Sequence, residues 1–196
     1  MAEIIFDDMT TGWSDACGGG IFWKKNPLHY KNSIANNLFS LTAIRLYKAT
    51  QNPAYLDWFK KNVDWYTQTG MINTDIYQIE DGTKDDCTPN RNAHYTYNQG
   101  VAIAVLAEMY LQTNDKSYLE LAEKIADATI TTQLVTDEGI LREMKPEIDD
   151  SNDGVQFKGI FIRHLAFLYE VTKNPAYKDF ILKNAESIIT KDYDPT

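Results

Sequence analysis

A segment that ends one apolar helix, turns and begins another occurs three times in this chain of 196 residues. The copies occupy residues 46–55, 109–118 and 168–177. Their closing tyrosines, Tyr55, Tyr118 and Tyr177, are 63 and 59 positions apart. A period of about 60 residues that contains two helices is typical of an αα-hairpin repeat. The repeat therefore predicts an all-α fold in which the segments before the first helix of each pair gather at one end.

The repeat predicts six helices and assigns them to two layers. Their expected bounds are residues 31–50, 53–69, 98–112, 116–134, 158–171 and 175–189. The first helix of a pair is apolar on most sides, as in residues 101–107, which is typical of a helix that is buried all round. The second helix is amphipathic, as in residues 118–129. We therefore expect an array of inner and outer helices.

The start of the chain resembles the middle of an outer helix. Residues 2–8 are similar to residues 122–128, which lie inside the fourth predicted helix. This register places Met1 within a helix whose inner partner is missing. We therefore expect one domain over residues 1–196, with about three αα-hairpins and an N-terminal remnant of a fourth.

Charge and motif content argue against several classes of function. The net charge is −9 and no basic patch stands out, which argues against nucleic acid as a partner. No apolar run approaches the roughly 18 residues of a membrane span. The histidines His29, His94 and His164 lack the spacing of metal ligands. Neither a phosphate-binding loop nor a dinucleotide fingerprint is present, so we expect no metal and no cofactor.

Three long connecting segments, residues 12–30, 70–96 and 135–156, lead into the inner helices and carry aromatic residues. Long loops in a compact domain are often functional. Helix N-termini offer unpaired N–H groups, and amides or tyrosines placed there can bind hydroxyl groups. For Asn32 alone, plain capping is the simpler explanation. Gly100 costs its helix up to about 1 kcal/mol relative to Ala, which indicates close backbone packing or a ligand.

These segments carry a resemblance to a known family. Five motifs occur in order, at residues 17–23, 31–36, 81–82, 96–100 and 157–163. In this order they resemble glycoside hydrolase family 76, whose members are endo-α-1,6-mannanases and include fungal cell-wall relatives. The resemblance spans about residues 4–189. It implies an (α/α)6 toroid with the active-site groove at one end, of which this chain forms a truncated part.

The resemblance also implies hydrolysis of α-1,6-mannosidic linkages in mannan with retention by two adjacent aspartates. Asp7 and Asp8 are weak candidates for that pair, because the repeat places them in the last turns of an outer helix and away from the groove entrance. Asp85–Asp86 and Asp149–Asp150 lie in polar loops that we interpret as solvated. The family pair is therefore expected outside this chain, and we expect the chain alone to be inactive on mannan.

Sugar-binding residues are assigned by their positions in the family motifs. The candidates are Trp23, Asn32, Asn36, Asp81, Tyr97, Asn98, Gln99, Lys158 and Arg163. Trp23 offers a ring for stacking on a pyranose, although a packed aromatic is nearly as good an interpretation. Asp81 offers two acceptors for hydroxyls, and an Asp–Gly turn explains it as well. For a charged residue on an apolar helix, such as Arg163, the simplest explanation is that it neutralises a neighbouring charge.

Two further questions stay open at the level of sequence. A non-catalytic carbohydrate-binding or cell-wall protein on the same scaffold, and a helical repeat that binds proteins, compete with the mannan hydrolase. Cys17 and Cys87 are either two buried thiols or one disulfide; both lie on loops of the groove face, so we predict the disulfide. A disulfide indicates an extracellular or cell-wall location, although no signal peptide opens this chain. The expected partner is α-mannan or a mannooligosaccharide.

Overall fold

A computed structural model describes residues 1–25, 30–91, 94–145 and 153–191 of the chain. The described helices are α1 (Ala2–Thr10), α2 (Ser33–Thr50), α3 (Pro53–Gln68), α4 (Thr96–Thr113), α5 (Lys116–Thr131), α6 (Gly154–Thr172) and α7 (Pro175–Lys191). A short 3-10 helix covers Ala16–Gly18, and β1 (Ile72–Asn73) pairs with β2 (Gln78–Ile79) in a small antiparallel hairpin. The fold is mainly α, as the sequence predicts, and the hairpin is a minor addition.

The three αα-hairpins share one turn chemistry. Each inner helix ends on a residue in the left-handed region, namely Gln51, Asn114 and Lys173, with φ of 59°, 57° and 56°. The following Asn52, Asp115 and Asn174 accept a hydrogen bond from the N–H two residues later, at 3.1, 2.9 and 3.1 Å. These caps stop one helix and start the next within a few residues. The repeated sequence therefore sets the helix bounds, which fall within about two residues of most predicted ones.

Two helix bounds differ more from the prediction. α6 begins at Gly154, four residues before the expected start, and α5 ends at Thr131, three residues before the expected end. Neither end has a side-chain cap, since Asp153 makes no capping hydrogen bond and Thr132 is extended. Without a cap in the sequence, these ends have no local signal that predicts them.

The helices form two layers, as the amphipathic patterns predict. α4 is the central inner helix and packs against α2 on one side and α6 on the other. Residues 101–107 of α4 are all buried, whereas α3, α5 and α7 bury one stripe each. Phe6 of α1 is fully buried and stacks on Phe39 of α2, with ring centroids 4.9 Å apart. None of the helices in the described residues is long and apolar enough to cross a membrane.

Gly100 lies at a close approach of the inner helices α4 and α6. A Cβ atom added at Gly100 would lie 2.6 Å from the Phe161 Cα atom and 3.2 Å from its backbone nitrogen. Of the two explanations that the sequence leaves open, close backbone packing therefore holds for this glycine. The contact lies within about two turns of the starts of α4 and α6, whose first turns carry residues of the candidate site.

Candidate functional site

The glycine-rich segment after α1 is folded back onto α2 and α3. Gly20 has φ of 83°, and a Cβ atom there would lie 2.4 Å from the Trp65 ring, so only glycine fits against this indole. Asn36 of α2 accepts a hydrogen bond from Ile21 N (2.8 Å) and donates one to Ile21 O (3.0 Å). These contacts hold the segment in place just before Trp23.

A buried cation and a disulfide complete the anchoring of this segment. The Lys31 ammonium is fully buried and donates to the carbonyl oxygens of Ser14 (2.7 Å), Ala16 and Gly19. Burial lowers the pKa of Lys31 to about 8, so it is still protonated at pH 7. Cys17 and Cys87 form a disulfide with Cα atoms 5.2 Å apart. The pairing is the one that the sequence analysis predicts, and it joins the glycine-rich segment to the loop after Asp81.

Gln99 holds the main chain of the segment between α3 and α4, as Asn36 holds the main chain of the glycine-rich segment before α2. Its amide accepts a hydrogen bond from Ile79 N (2.8 Å) and donates one to Ile79 O (3.1 Å), which fixes the end of β2. Gln99 lies 63 positions after Asn36, so the two amides occupy equivalent positions of the repeat. Both side chains are fully buried and engaged by main chain. β2 leads directly to Asp81, which therefore has a well-defined position.

The Asp81 carboxylate is the centre of a polar cluster. Tyr30 donates a hydrogen bond to its Oδ2, whereas Asn98 (3.0 Å) and the Tyr97 hydroxyl (3.4 Å) contact its Oδ1. Asn90 in turn donates to the Tyr30 oxygen at 3.1 Å. Burial, followed by the negative charge of Asp81, raises the pKa of Tyr30 and of Tyr97 above the ordinary tyrosine value. Both phenols are therefore protonated at neutral pH and act as donors to the carboxylate.

The cluster forms the floor of a pocket of about 310 Å³ at the N-terminal ends of the inner helices. Its lining consists of Trp23, Tyr30, Asn32, Ile34, Asp81, Tyr95, Tyr97, Asp153 and Phe157. The Tyr97 and Phe157 rings lie 4.1 Å apart between centroids, and Trp23 meets Tyr30 edge-on at 6.3 Å. Trp23 is 53% exposed, so its ring is accessible at the rim. An exposed indole beside a carboxylate and several phenols suits a polyhydroxylated ligand.

Four of the predicted sugar-binding residues meet in this pocket. Trp23, Asn32, Asp81 and Tyr97 line it, and Asn98 lies beneath it with its amide on Asp81. Asn32 also caps α2 by accepting a hydrogen bond from Ala35 N at 3.1 Å. The expected common location of these residues is therefore what the structure shows. Whether they bind a sugar stays a prediction.

The structure places the other four candidates elsewhere. Asn36 and Gln99 hold the main chain of the loops, as described above, and do not line the pocket. Lys158 lines a separate apolar cavity of about 300 Å³ between α6 and α7. Arg163 lies about one and a half turns further along α6, on another cavity. All four are on the predicted helices, but none of their side chains lines the Asp81 pocket, which the motif match alone does not reveal.

Five residues of the pocket are absent from the sequence-based assignment: Tyr30, Ile34, Tyr95, Asp153 and Phe157. The repeat register contains a signal for one of them. Tyr95 lies 63 positions after Asn32, so it occupies the equivalent position at the start of α4. Tyr30 and Phe157 sit at the edges of the family motifs, beside the residues that were chosen. Asp153 has no such signal, because it precedes the expected start of α6 by five residues and makes no capping hydrogen bond.

The adjacent aspartates in the described residues do not line the pocket. Asp7 and Asp8 are exposed on α1, and Asp8 forms an ion pair with Lys25 at 2.8 Å. Asp8 lines a neighbouring cavity of about 530 Å³, which meets the Asp81 pocket at Trp23. Asp85–Asp86 is exposed, and Asp86 accepts hydrogen bonds from Thr88. Asp149 and Asp150 lie outside the described residues.

Metal ligands are not gathered in the described part of the chain. No group of three or more His, Cys, Asp or Glu side chains there could hold a metal ion. His94 lies 3.5 Å from the buried Glu80, and His164 is buried on α6. His29 lies outside the described residues. The site chemistry of the pocket is therefore that of carboxylate, amide, phenol and aromatic groups.

Comparison with known proteins gives consistent matches over nearly the whole chain. The family model described as Glycosyl hydrolase family 76 matches residues 1–194. A putative mannan endo-1,6-alpha-mannosidase of Schizosaccharomyces pombe is 30% identical over 183 residues, which are 87% of this chain and 41% of the relative. The chain thus spans about two fifths of that relative's length.

Two solved structures of a mannanase also match nearly the whole of this chain and about half of their own length. The α-1,6-mannanase GH76A from Salegentibacter sp. HEL1_6 has a TM-score of 0.87 and 28% identity, covering 96% of this chain and 56% of that one. An inactive variant of the same mannanase, with two adjacent aspartates replaced by alanine, was solved in complex with α-1,6-mannotetrose. It has a TM-score of 0.85 and 28% identity, covering 95% of this chain and 56% of that one.

Proposed function

We propose that this chain, which belongs to glycosyl hydrolase family 76, provides the mannose-binding side of an active site that hydrolyses α-1,6-mannosidic linkages in mannan. The observation that carries the proposal is the Asp81 pocket, formed at the N-terminal ends of the inner helices by residues of the family motifs. The similarity to a mannanase that was solved with an α-1,6-linked mannooligosaccharide supports the same ligand class here.

The Asp81 carboxylate is the principal hydroxyl acceptor in this proposal. A carboxylate has about four lone-pair positions, and Tyr30, Tyr97 and Asn98 donate to three of them. One position is left for a sugar hydroxyl. A hydrogen bond to a charged group contributes about 1.5–3 kcal/mol, more than a neutral pair does. The three protein donors also fix the orientation of the carboxylate before the sugar arrives, which reduces the entropic cost of binding.

The aromatic rings supply the apolar part of mannose recognition. A pyranose ring presents C–H groups on one face, and the exposed indole of Trp23 at the rim offers a flat surface for them. Tyr95 and Tyr97 stack on each other with ring centroids 5.6 Å apart, so two further aromatic rings line the pocket. This arrangement favours a ring with axial and equatorial hydroxyls over an aliphatic ligand.

We further propose that hydrolysis proceeds with retention, and that neither Asp7–Asp8 nor Asp85–Asp86 supplies the catalytic pair. Retention needs two carboxyl groups about 5 Å apart on either side of the scissile bond. Asp8 is engaged by Lys25, and neither Asp7–Asp8 nor the exposed Asp85–Asp86 lines the Asp81 pocket. The chain alone is therefore expected to bind α-1,6-linked mannose without hydrolysing it.

We also propose an extracellular or cell-wall location and a single domain of three αα-hairpins preceded by α1. The Cys17–Cys87 disulfide supports the location, since disulfides persist in oxidising compartments. Thermal unfolding in one transition would support the single domain, whereas two separated transitions would contradict it.

Calorimetric titration with α-1,6-mannotetraose tests the proposed site. We expect the wild-type chain to bind, Asp81→Ala to weaken binding at least tenfold, and Tyr97→Ala to weaken it severalfold. Asp85→Ala is the matched control, because it removes a carboxylate from the exposed loop that follows Asp81. Unchanged affinity in Asp81→Ala, or equal losses in Asp81→Ala and Asp85→Ala, would contradict the proposal. Binding without release of reducing ends by a longer protein that contains this chain would favour the non-catalytic alternative.

A further inference from the structure

The inner helices α2 and α4 are capped in different ways. Tyr95 is the N-cap residue of α4 and lies 63 positions after Asn32, the N-cap residue of α2. Asn32 accepts a hydrogen bond from Ala35 N, whereas the Tyr95 side chain makes no capping hydrogen bond among the described residues. The Tyr95 backbone still has the extended conformation of an N-cap residue, with φ of −81° and ψ of 141°. Position 95 thus keeps the geometry of a cap without its side-chain function.

Glu143 caps α4 from the connecting segment between α5 and α6. Its carboxylate accepts hydrogen bonds from Thr96 N at 3.1 Å and from the Thr96 hydroxyl. The first N–H groups of a helix have no intrahelical partner, and a negative charge beside them is favoured by the helix dipole. Glu143 is 1% exposed, so these hydrogen bonds lie in the interior. The start of α4 therefore depends on a residue 47 positions later in the chain.

The main chain beside Glu143 is itself fixed. Leu141 N donates a hydrogen bond to the side chain of Asn184 on α7 at 2.8 Å. Arg142 N donates to the Leu134 carbonyl oxygen at 2.9 Å, and the side chains of Leu134 and Leu141 are buried. The carboxylate is therefore presented to α4 by a segment that is anchored on another helix.

The residue that Glu143 holds lies between two aromatic residues of the Asp81 pocket. The Tyr95 ring stacks on Tyr97 and meets Phe157 nearly edge-on, with centroids 5.9 Å apart. Burial raises the pKa of Tyr95, and the negative charges of Asp81 and Glu143 add to this shift. An asparagine at position 95 would cap the helix but would provide no ring. A cap from the next segment leaves this position available for an aromatic side chain.

We propose that Glu143 is a positioning residue of the mannose-binding site, which caps α4 so that Tyr95 can contribute its ring to the pocket. This role rests on the proposed function of the pocket. The repeat provides a comparison, since Glu80 lies 63 positions before Glu143. There the Ser33 hydroxyl donates to the main-chain carbonyl of Glu80, and the Glu80 side chain accepts from Asn73 at 3.0 Å. The helix that has its own cap thus receives the main chain of the next segment, whereas α4 receives a carboxylate.

Thermal unfolding of the purified chain tests the cap. Glu143→Gln places an amide N–H₂ group against one of two donors, so we expect the melting temperature to fall by about 4–8 °C. Adding Tyr95→Asn should recover at least about half of this loss, because asparagine with an N-cap backbone can accept from Asn98 N. Glu138→Gln is the matched control, since it removes an exposed carboxylate of the same segment. We expect it to change the melting temperature by less than about 2 °C.

Calorimetry with α-1,6-mannotetraose tests whether Glu143 acts through Tyr95. Glu143→Gln and Tyr95→Ala should each weaken binding at least about fivefold. In the Tyr95→Ala background, Glu143→Gln should cause less than about a twofold further loss, because residues that act through one another are not additive. The variant that combines Glu143→Gln with Tyr95→Asn should regain stability without regaining affinity. A purely structural role of Glu143 does not produce this separation of stability from binding.

Three results would overturn the proposal. The first is no recovery of the melting temperature by Tyr95→Asn, and the second is unchanged affinity in Glu143→Gln. The third is a pair of fully additive losses in the double-variant comparison. If the wild type itself does not bind mannotetraose, the proposed mannan site is refuted, and near-ultraviolet circular dichroism of the free chain decides the positioning role. Glu143→Gln should then reduce the tyrosine signal in the wild-type background but not in Tyr95→Ala, and an unchanged spectrum contradicts it.

Discussion

Replacing Gly100 by alanine tests how the inner helices set the shape of the site. The added Cβ atom would lie 2.6 Å from the Phe161 Cα and 3.3 Å from the Ile160 carbonyl oxygen. Both neighbours are backbone atoms of α6, so no side-chain rotation relieves the overlap. Helix α6 must instead move away from α4 by about 1 Å, given that carbon atoms pack at about 3.5–4.0 Å. This movement opens the contact between Tyr97 and Phe157.

Two opposing terms determine how much Gly100→Ala changes the free energy of unfolding. Alanine in a helix interior is more favourable than glycine by about 1 kcal/mol. Overpacking a close helix contact costs about 1–3 kcal/mol, and more where backbone has to shift. We therefore expect a net loss of about 2 kcal/mol in the free energy of unfolding. For a chain of this length, that corresponds to a decrease of about 4–8 °C in melting temperature.

Gly159→Ala is the matched control, since Gly159 occupies the equivalent repeat position 59 residues after Gly100. A Cβ atom at Gly159 has no neighbour within 4 Å, so only the propensity term remains. We expect this variant to gain about 0.5–1 kcal/mol. Urea unfolding followed by circular dichroism measures both variants. If Gly100→Ala is as stable as Gly159→Ala, the close approach of α4 and α6 does not exist and the explanation of Gly100 is wrong.

Three further predictions concern the loops and the aspartates. Lys31→Met should lower the free energy of unfolding by about 3 kcal/mol in urea titrations, because three buried carbonyl groups lose a charged donor; a loss below about 0.5 kcal/mol would contradict the anchoring role. Replacing Cys17 and Cys87 together by serine should cost up to about 4 kcal/mol by the loop-entropy model for a separation of 70 residues, and equal melting temperatures with and without reductant would refute it. In assays of reducing ends released from α-1,6-mannan, the chain, Asp7→Asn and Asp8→Asn should be equally inactive, and turnover abolished by either variant would identify Asp7–Asp8 as the catalytic pair.

The helices were predictable because local sequence determines the turn between the two helices of each hairpin. Thr50, Thr113 and Thr172 each accept a hydrogen bond at 3.2 Å from the N–H of the next capping residue. Such caps act within three or four residues, so a single sequence contains all their information. The starts of the inner helices lack a repeated cap. They depend on loops of different length, and the start of α6 was accordingly predicted too late.

The composition of the pocket was less predictable, since it depends on which face of each inner helix meets a loop. Asn32 and Asn36 are neighbours on α2, yet Asn32 lines the pocket and Asn36 holds the Ile21 main chain. On α4, likewise, Tyr97 lines the pocket and Gln99 holds the Ile79 main chain. Helical periodicity predicts that the two residues of each pair lie within about one turn of each other, but it does not predict the path of the loop that packs against them. That path is set by long-range contacts such as the buried Lys31 and the disulfide.

An asymmetric site can arise on this repeated scaffold because equivalent positions have diverged in size. At one such position the three inner helices carry Asn37, Gly100 and Gly159. Gly100 faces the α6 backbone closely, whereas a Cβ atom at Gly159 has no neighbour within 4 Å, and the Tyr97 and Phe157 rings of α4 and α6 lie 4.1 Å apart. Asn37 is buried and its side chain lies beside the Tyr66 hydroxyl. The distance between inner helices is thus set separately at each interface, so substitution at one repeat position reshapes one side of the pocket and leaves the shared turns unchanged.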